Sequence, residues 1–232
     1  MKLGIMQPYF LPYIGYFQLI SSVDTFIVYD NIKFTKKGWI NRNRMLVNGS
    51  EAVFSLPLCK GSDSSEVKER KLNANFDRRK LLNQFKGAYH HAPNFEKNLP
   101  LLEKIINFED SNLFNYVYNS IQQMCVHLGI ETEIKISSSI LIDDNLKGQE
   151  KVLALCKATG ANTYINTIGG KELYYIDDFR AIDVELQFIK PKNFEYKQFE
   201  NPHLPWLSII DVLMFNALDL VRDRIKNNFT LN

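Results

Sequence analysis

Short apolar runs alternating with longer stretches of helical period set the outline of this chain. Leu3–Met6 forms the apolar centre of a strand predicted over Met1–Gln7. Gly15–Ser21 opens a helix with Tyr16, Phe17, Leu19 and Ile20 on or near its buried side. The β-branched run from Val23 ends at Asp30, as the second strand of a βαβ unit does. Asn43–Val47 and Glu51–Leu58 flank Asn48-Gly49-Ser50, a hairpin signal because Asn-Gly accepts positive φ at both turn positions.

A helical middle follows. Leu81, Leu82, Phe85 and Tyr89 recur at helical spacing within Phe76–Tyr89, with Asn75 as the candidate N-cap. Leu101, Leu102, Ile105 and Ile106 mark a second helix. Leu113, Val117, Ile121, Met124, Cys125 and Leu128 mark a third, stopped by Gly129. Alternation then returns in Ile130–Ile136, a helix over Gln149–Thr159 ends at Gly160, and Thr163–Ile165 and Asp183–Ile189 read as strands. Leu207, Ile210, Met214, Ala217, Val221 and Ile225 trace one face of a single long terminal helix. The fold class expected is α/β: a parallel-sheet, nucleotide-binding-like core over 1–75 and 130–232 in one domain, with residues 76–129 as an inserted helical subdomain.

Composition narrows the picture. At 232 residues and 45% hydrophobic the chain can bury a large core, which excludes disorder. No window approaches the about 18 apolar residues of a membrane span, and no signal-peptide core is visible, so no membrane insertion and a cytoplasmic location are expected. A net charge of +2 demands no nucleic-acid partner. Cys59, Cys125 and Cys156 are widely spaced and form no zinc pattern, so they read as reduced thiols and no metal site is expected.

Candidate chemistry sits first in the turn after the opening strand. Pro12-Tyr13-Ile14-Gly15-Tyr16 resembles the P-H-x-G-H turn of nucleotidyltransferases, with tyrosine in both histidine positions. In such folds backbone N–H groups and a helix N-terminus face a phosphate. Tyrosine hydroxyls still donate hydrogen bonds but carry no positive charge, so Gln7, Tyr13, Gly15 and Tyr16 are candidates for a weakened phosphate turn. The alternative is that both rings simply fill the core beside Phe10 and Phe17. Asp30, at a strand's carboxyl end, suits a ribose hydroxyl, a metal, a substrate amine or a general base.

Lys37, Trp39, Asn41, Arg42, Asn43 and Arg44 combine planar cations, amides and an aromatic face, which suits a nucleotide-linked sugar; the bland reading is a solvated charge cluster around a core tryptophan. Tyr164, Thr167, Gly169, Gly170 and Lys171 form a strand-to-loop transition able to converge N–H groups on an anion, without Walker spacing. The Gly61–Ser65 stretch is either a loop near a site or a surface connection. His203, in a proline-flanked loop, is a candidate catalytic group. His90 and His91 read as helix-end residues, and Ser208 with Asp211 as a capping pair.

The longer pattern resembles the WbqC-like family of bacteria. It runs from Gln7-Pro8-x-x-Leu11-Pro12-Tyr13-x-Gly15-Tyr16-Phe17 through Asp24, Asp30 and Lys37-x-Trp39-x-Asn41-Arg42-Asn43-Arg44. Tyr164 through Gly170, Tyr174, Phe199 and Leu207–Leu213 extend it. The family's last loop often carries a serine before the glycines, where this chain has Thr167. The resemblance implies a product of surface-polysaccharide (O-antigen) gene clusters: a transferase forming an amide, by glycyl, aminoacyl or acyl transfer, on a nucleotide-linked amino sugar. Its partners would be that sugar and an acyl or aminoacyl donor, with nucleic acid only if the donor is an aminoacyl-tRNA. Two alternatives stand beside it: a degenerate nucleotidyltransferase or acyl-adenylating ligase needing ATP and magnesium, and a non-catalytic nucleotide-sugar-binding module.

Overall fold

A computed structural model describes all residues, 1–232. Its centre is a six-stranded sheet ordered β5-β2-β1-β6-β7-β8, formed by β1 (Lys2–Met6), β2 (Thr25–Val28), β5 (Glu133–Ile136), β6 (Thr163–Thr167), β7 (Glu185–Pro191) and β8 (Phe229–Leu231). Every neighbouring pair is parallel except β7 with β8, which is antiparallel. The β3 (Arg42–Val47) and β4 (Ser50–Ser55) hairpin stands as a separate two-stranded sheet, with Asn48 and Gly49 both at positive φ as its turn requires. No helix is long and apolar enough to cross a membrane.

The sheet buries two apolar faces, as parallel strands must. On one, α1 (Ile14–Ser21) and α8 (Leu218–Asn227) pack through Phe17, Ile20, Val221 and Ile225 against Phe26, Val28, Ile165 and Ile189. That core continues without interruption through the hairpin into α2 (Arg78–Tyr89), α3 (Phe95–Ile106) and α4 (Leu113–Leu128). On the other, α5 (Gly148–Thr159) and α6 (Ile176–Arg180) cover Leu3, Ile5, Ile27 and Tyr164 with Val152, Leu155, Cys156 and Phe179. All three cysteines are free thiols, and Cys125 and Cys156 are buried as small apolar groups.

Several helix ends follow local chemistry. Gly129 and Gly160 close α4 and α5 in the left-handed conformation. The N-cap of α2 is Asp77, whose carboxylate accepts from the Lys80 N–H, and not Asn75, two residues earlier. The expected long terminal helix is two: α7 (Ile209–Phe215) ends at Asn216, which turns extended (φ −124°, ψ 147°) and returns its side-chain amide to the Val212 carbonyl. Ala217, placed by periodicity on the buried face, is exposed. Ser208 caps α7 by accepting from Ile210, whereas Asp211 turns inward. It accepts from the Tyr89 and Tyr196 hydroxyls (2.9 and 2.6 Å) and the Gln198 amide (2.6 Å).

Chain direction changes at the sheet's middle. From β1 the chain passes through α1 to β2 on one side; from β6 it passes through α6 to β7 on the other, over the opposite face. The adjacent parallel pair β1 and β6 is therefore a topological switch point, where open α/β sheets leave a crevice beyond the strands' carboxyl ends.

Candidate functional site

A cleft of about 910 Å³ occupies that crevice. Its floor is Met6 and Gln7 at the end of β1, Tyr29, Asn31 and Ile32 after β2, and Asn166 and Thr167 at the end of β6. The first turn of α5 forms one wall, with Lys147, Gly148, Gln149, Lys151 and Val152 all lining it. This helix begins without a side-chain cap, so its leading N–H groups and the positive end of its dipole stay available to an anion. Gly148 stands at φ +51°, and neither there nor at Gly169 would a Cβ meet anything within 4 Å. Both glycines therefore leave bare backbone toward open space.

Three lysines supply the charge, Lys33, Lys147 and Lys151. Lys151 is the notable one, only 6% exposed, with Nζ donating to the Asn31 carbonyl (2.9 Å) and lying 5.6 Å from the centre of the Tyr29 ring. It makes no ion pair within salt-bridge distance. Burial holds its pKa below the ordinary lysine value, opposed by the charges of Glu66, Asp30 and Asp144. Of those acids, Glu66 and Asp144 line the cleft too, and Glu66 pairs with Lys68 at 3.1 Å. Asn166 is locked, donating to the Tyr164 and Tyr174 hydroxyls (2.9 and 2.8 Å) while its oxygen accepts from the Thr167 N–H.

A second hollow of about 190 Å³ shares one wall with the cleft, through Tyr9. Its other lining is Tyr13, Trp39, Asn43, Arg44 and Trp206.

The sequence candidates divide between these places. Gln7, Thr167, Gly169 and Gly170 line the cleft, and Ser64 brings the serine-rich loop to its rim. Tyr13, Trp39, Asn43 and Arg44 line the hollow. The remainder meet neither. Tyr16 is 2% exposed and gives its hydroxyl to the Gln7 carbonyl (2.9 Å), which fixes the strand-to-helix loop from within. Gly15 is small because a Cβ would strike the Tyr13 ring and Pro191, so its close approach is to protein, not to a phosphate. The N-terminus of α1 accordingly lies outside the cleft, and the helix end that opens on it is α5.

Asp30 is 4% exposed behind the cleft floor. It accepts from Ser137 Oγ, Ser138 N and Ser138 Oγ, tying β2 to the 3₁₀ turn after β5. Asn41 donates to the Leu56 carbonyl, and Arg42 holds the Gly38 and Lys37 carbonyls of its own loop. Asn43 donates to the Phe10 and Leu11 carbonyls. Lys37 and Lys171 are exposed, and Tyr164 is buried beneath Asn166. His203 packs its ring 4.7 Å from that of Tyr196.

Lys151 was the residue that motif reading passed over. Its signal was present: it falls four residues before Leu155 and next to Val152, so helical spacing puts a cation on the face of α5 that must be buried.

The uncharacterized protein Rv1507c of Mycobacterium tuberculosis is 27% identical over 224 residues, covering 93% of this chain and 94% of its own. No solved structure matches. The model of the WbqC-like protein family matches residues 7–223, a stretch that holds both Gln7 at the cleft floor and the buried hub at Asp211. This chain belongs to the WbqC-like protein family.

Proposed function

We propose that this protein is a transferase that holds a nucleotide-linked amino sugar in the switch-point cleft and forms an amide on the sugar's amine, in the building of a bacterial surface polysaccharide. One observation carries the reading: the uncapped first turn of α5 and the buried Lys151 face the same cleft at the carboxyl ends of β1, β2 and β6. Leading N–H groups, a helix dipole and an ammonium lining one cleft suit a diphosphate. The volume suits a ligand of nucleotide-sugar size, since small-molecule sites run roughly 300–1,000 Å³. The amine bonds to the donor's acyl carbon as the bond from that carbon to the leaving group breaks, and the proton the amine loses goes to the departing group. The family likeness supports the reaction, and the cleft supports the substrate class.

The test is a product analysis. Purified protein incubated with dTDP- or UDP-linked amino sugars, together with glycine and ATP or with aminoacyl donors, yields a nucleotide sugar heavier by one acyl group. Lys151→Met lowers the yield of that product at limiting nucleotide sugar by about tenfold, the loss expected in binding. Nucleotide sugars that bind but never change mass with any donor would reduce the protein to a binding module.

A further inference from the structure

The hollow beside the cleft differs from it in chemistry. Its one arginine is mostly engaged: one terminal nitrogen of the Arg44 guanidinium donates to Glu51 (2.9 Å) and the other to the Trp206 carbonyl (3.0 Å), while its buried Nε has no partner. Its amide is spent as well, Asn43 being committed to the Phe10 and Leu11 carbonyls. What remains open is mostly aromatic, with the Arg42 and Arg44 guanidiniums lying over the Trp39 ring at 5.5 and 5.2 Å from its centre. Trp206 is 56% exposed and Trp39 37%, unusual values for the largest apolar side chain. Tyr13 meets Trp206 edge to face at 5.8 Å.

The hydroxyls of Tyr9 and Tyr13 have no partner in the protein and are not sealed from solvent. Burial and each other's proximity hold Tyr13 up to about 12, and burial raises Tyr9, so both are neutral donors and acceptors at physiological pH. Trp206 is also held on purpose. It sits at φ +63°, a region bulky side chains seldom adopt, with its carbonyl gripped by Arg44.

The exposed Trp206 indole beside uncommitted neutral hydroxyls matches a ring with apolar C–H faces and equatorial hydroxyls, and the pairing of Arg44 with Glu51 disfavours an anion. At about 190 Å³ the space takes one small ring, not a whole nucleotide. From this we infer that the hollow of Tyr9, Tyr13, Trp39 and Trp206 seats a pyranose ring, with Tyr9 as the partition between it and the anion-binding cleft. The identity of the ring as the sugar end of a nucleotide-linked substrate rests on the function proposed above. The seat itself does not.

The chain has two tryptophans and both line this hollow, so intrinsic tryptophan fluorescence reports on it alone. The intact protein is titrated with methyl glucosaminide, with dTDP and UDP, and with their amino-sugar conjugates, fluorescence and calorimetry being read in parallel. Methyl glucosaminide and the conjugates shift the emission, whereas dTDP and UDP alone do not. By calorimetry Trp206→Phe weakens the glycoside and the conjugates about tenfold, the size of one lost aromatic contact, while dTDP affinity is unchanged. An emission unmoved by the glycoside and conjugates, or conjugate affinity indifferent to Trp206→Phe, would overturn the inference. If dTDP and UDP fail to bind while the glycoside still shifts the emission, the sugar seat stands and the nucleotide reading falls.

Discussion

The ammonium of Lys151 has three hydrogens and spends one on the Asn31 carbonyl. The residue lines the cleft with no ion pair to neutralise it, so it is a standing cost to the fold and, in the function proposed above, the anchor for an anion. Replacement by methionine separates the two roles. Lys151→Met weakens dTDP or UDP binding at least about tenfold, as loss of a charged hydrogen bond does, measured by calorimetry. The same change raises the melting temperature near neutral pH by removing a desolvated charge. The pH dependence has a definite sign. With its folded pKa below the ordinary value, Lys151 is deprotonated in the native state over an alkaline window where the unfolded chain still holds the proton. Stability of the wild type relative to Lys151→Met therefore climbs with pH between the lowered value and 10.5. Denaturant midpoints of the two proteins across that window measure it. Asp211 is the opposite kind of buried ion, with its oxygens occupied by two tyrosines and a glutamine. Asp211→Ala strands those donors and costs about 3–5 kcal/mol in equilibrium unfolding, a larger loss than removing a helix cap.

Elements explain why some site residues were legible and others not. The Asn48-Gly49 hairpin and the glycine stops of α4 and α5 follow from backbone geometry that only a few residues accept, and each stands where the pattern put it; Gly169 and Gly170, by contrast, sit in a 3₁₀ helix that any residue could form. The arginine loop was ambiguous because a guanidinium that clamps carbonyls looks the same in sequence as one awaiting a phosphate. What decides Arg44 is the Trp206 carbonyl, 162 residues away. The terminal helix was misjudged because spacing runs unbroken from Met214 to Val221 while Asn216 leaves the helix to bond its own backbone. Glycine 15 makes a prediction at this scale. Gly15→Ala drives a methyl into the Tyr13 ring and Pro191, destabilising the protein by about 1–3 kcal/mol as overpacking does, and it displaces the hollow's wall. A chemical unfolding curve gives the first effect, and a shifted tryptophan emission of the ligand-free protein gives the second.

At the scale of the molecule, strand order does what the tyrosine turn was expected to do. Because β1 and β6 lead away in opposite directions over opposite faces, the crevice opens between them, and the helix start aimed at it belongs to α5. The loop from Gln7 to Tyr13 then separates two compartments, one cationic and large, one aromatic and small, with Tyr9 lining both. Sequence alone carried every strand but the edge strand β8, and the family, but the pairing of β1 with β6 joins residues about 160 positions apart and no local pattern announces it. The most direct test is a crystal structure of the protein soaked with a dTDP- or UDP-linked amino sugar. The account predicts diphosphate oxygens on Lys151 Nζ and the leading N–H groups of α5. A diphosphate found instead at the start of α1, beside Tyr13 and Gly15, or outside the cleft altogether, would contradict it.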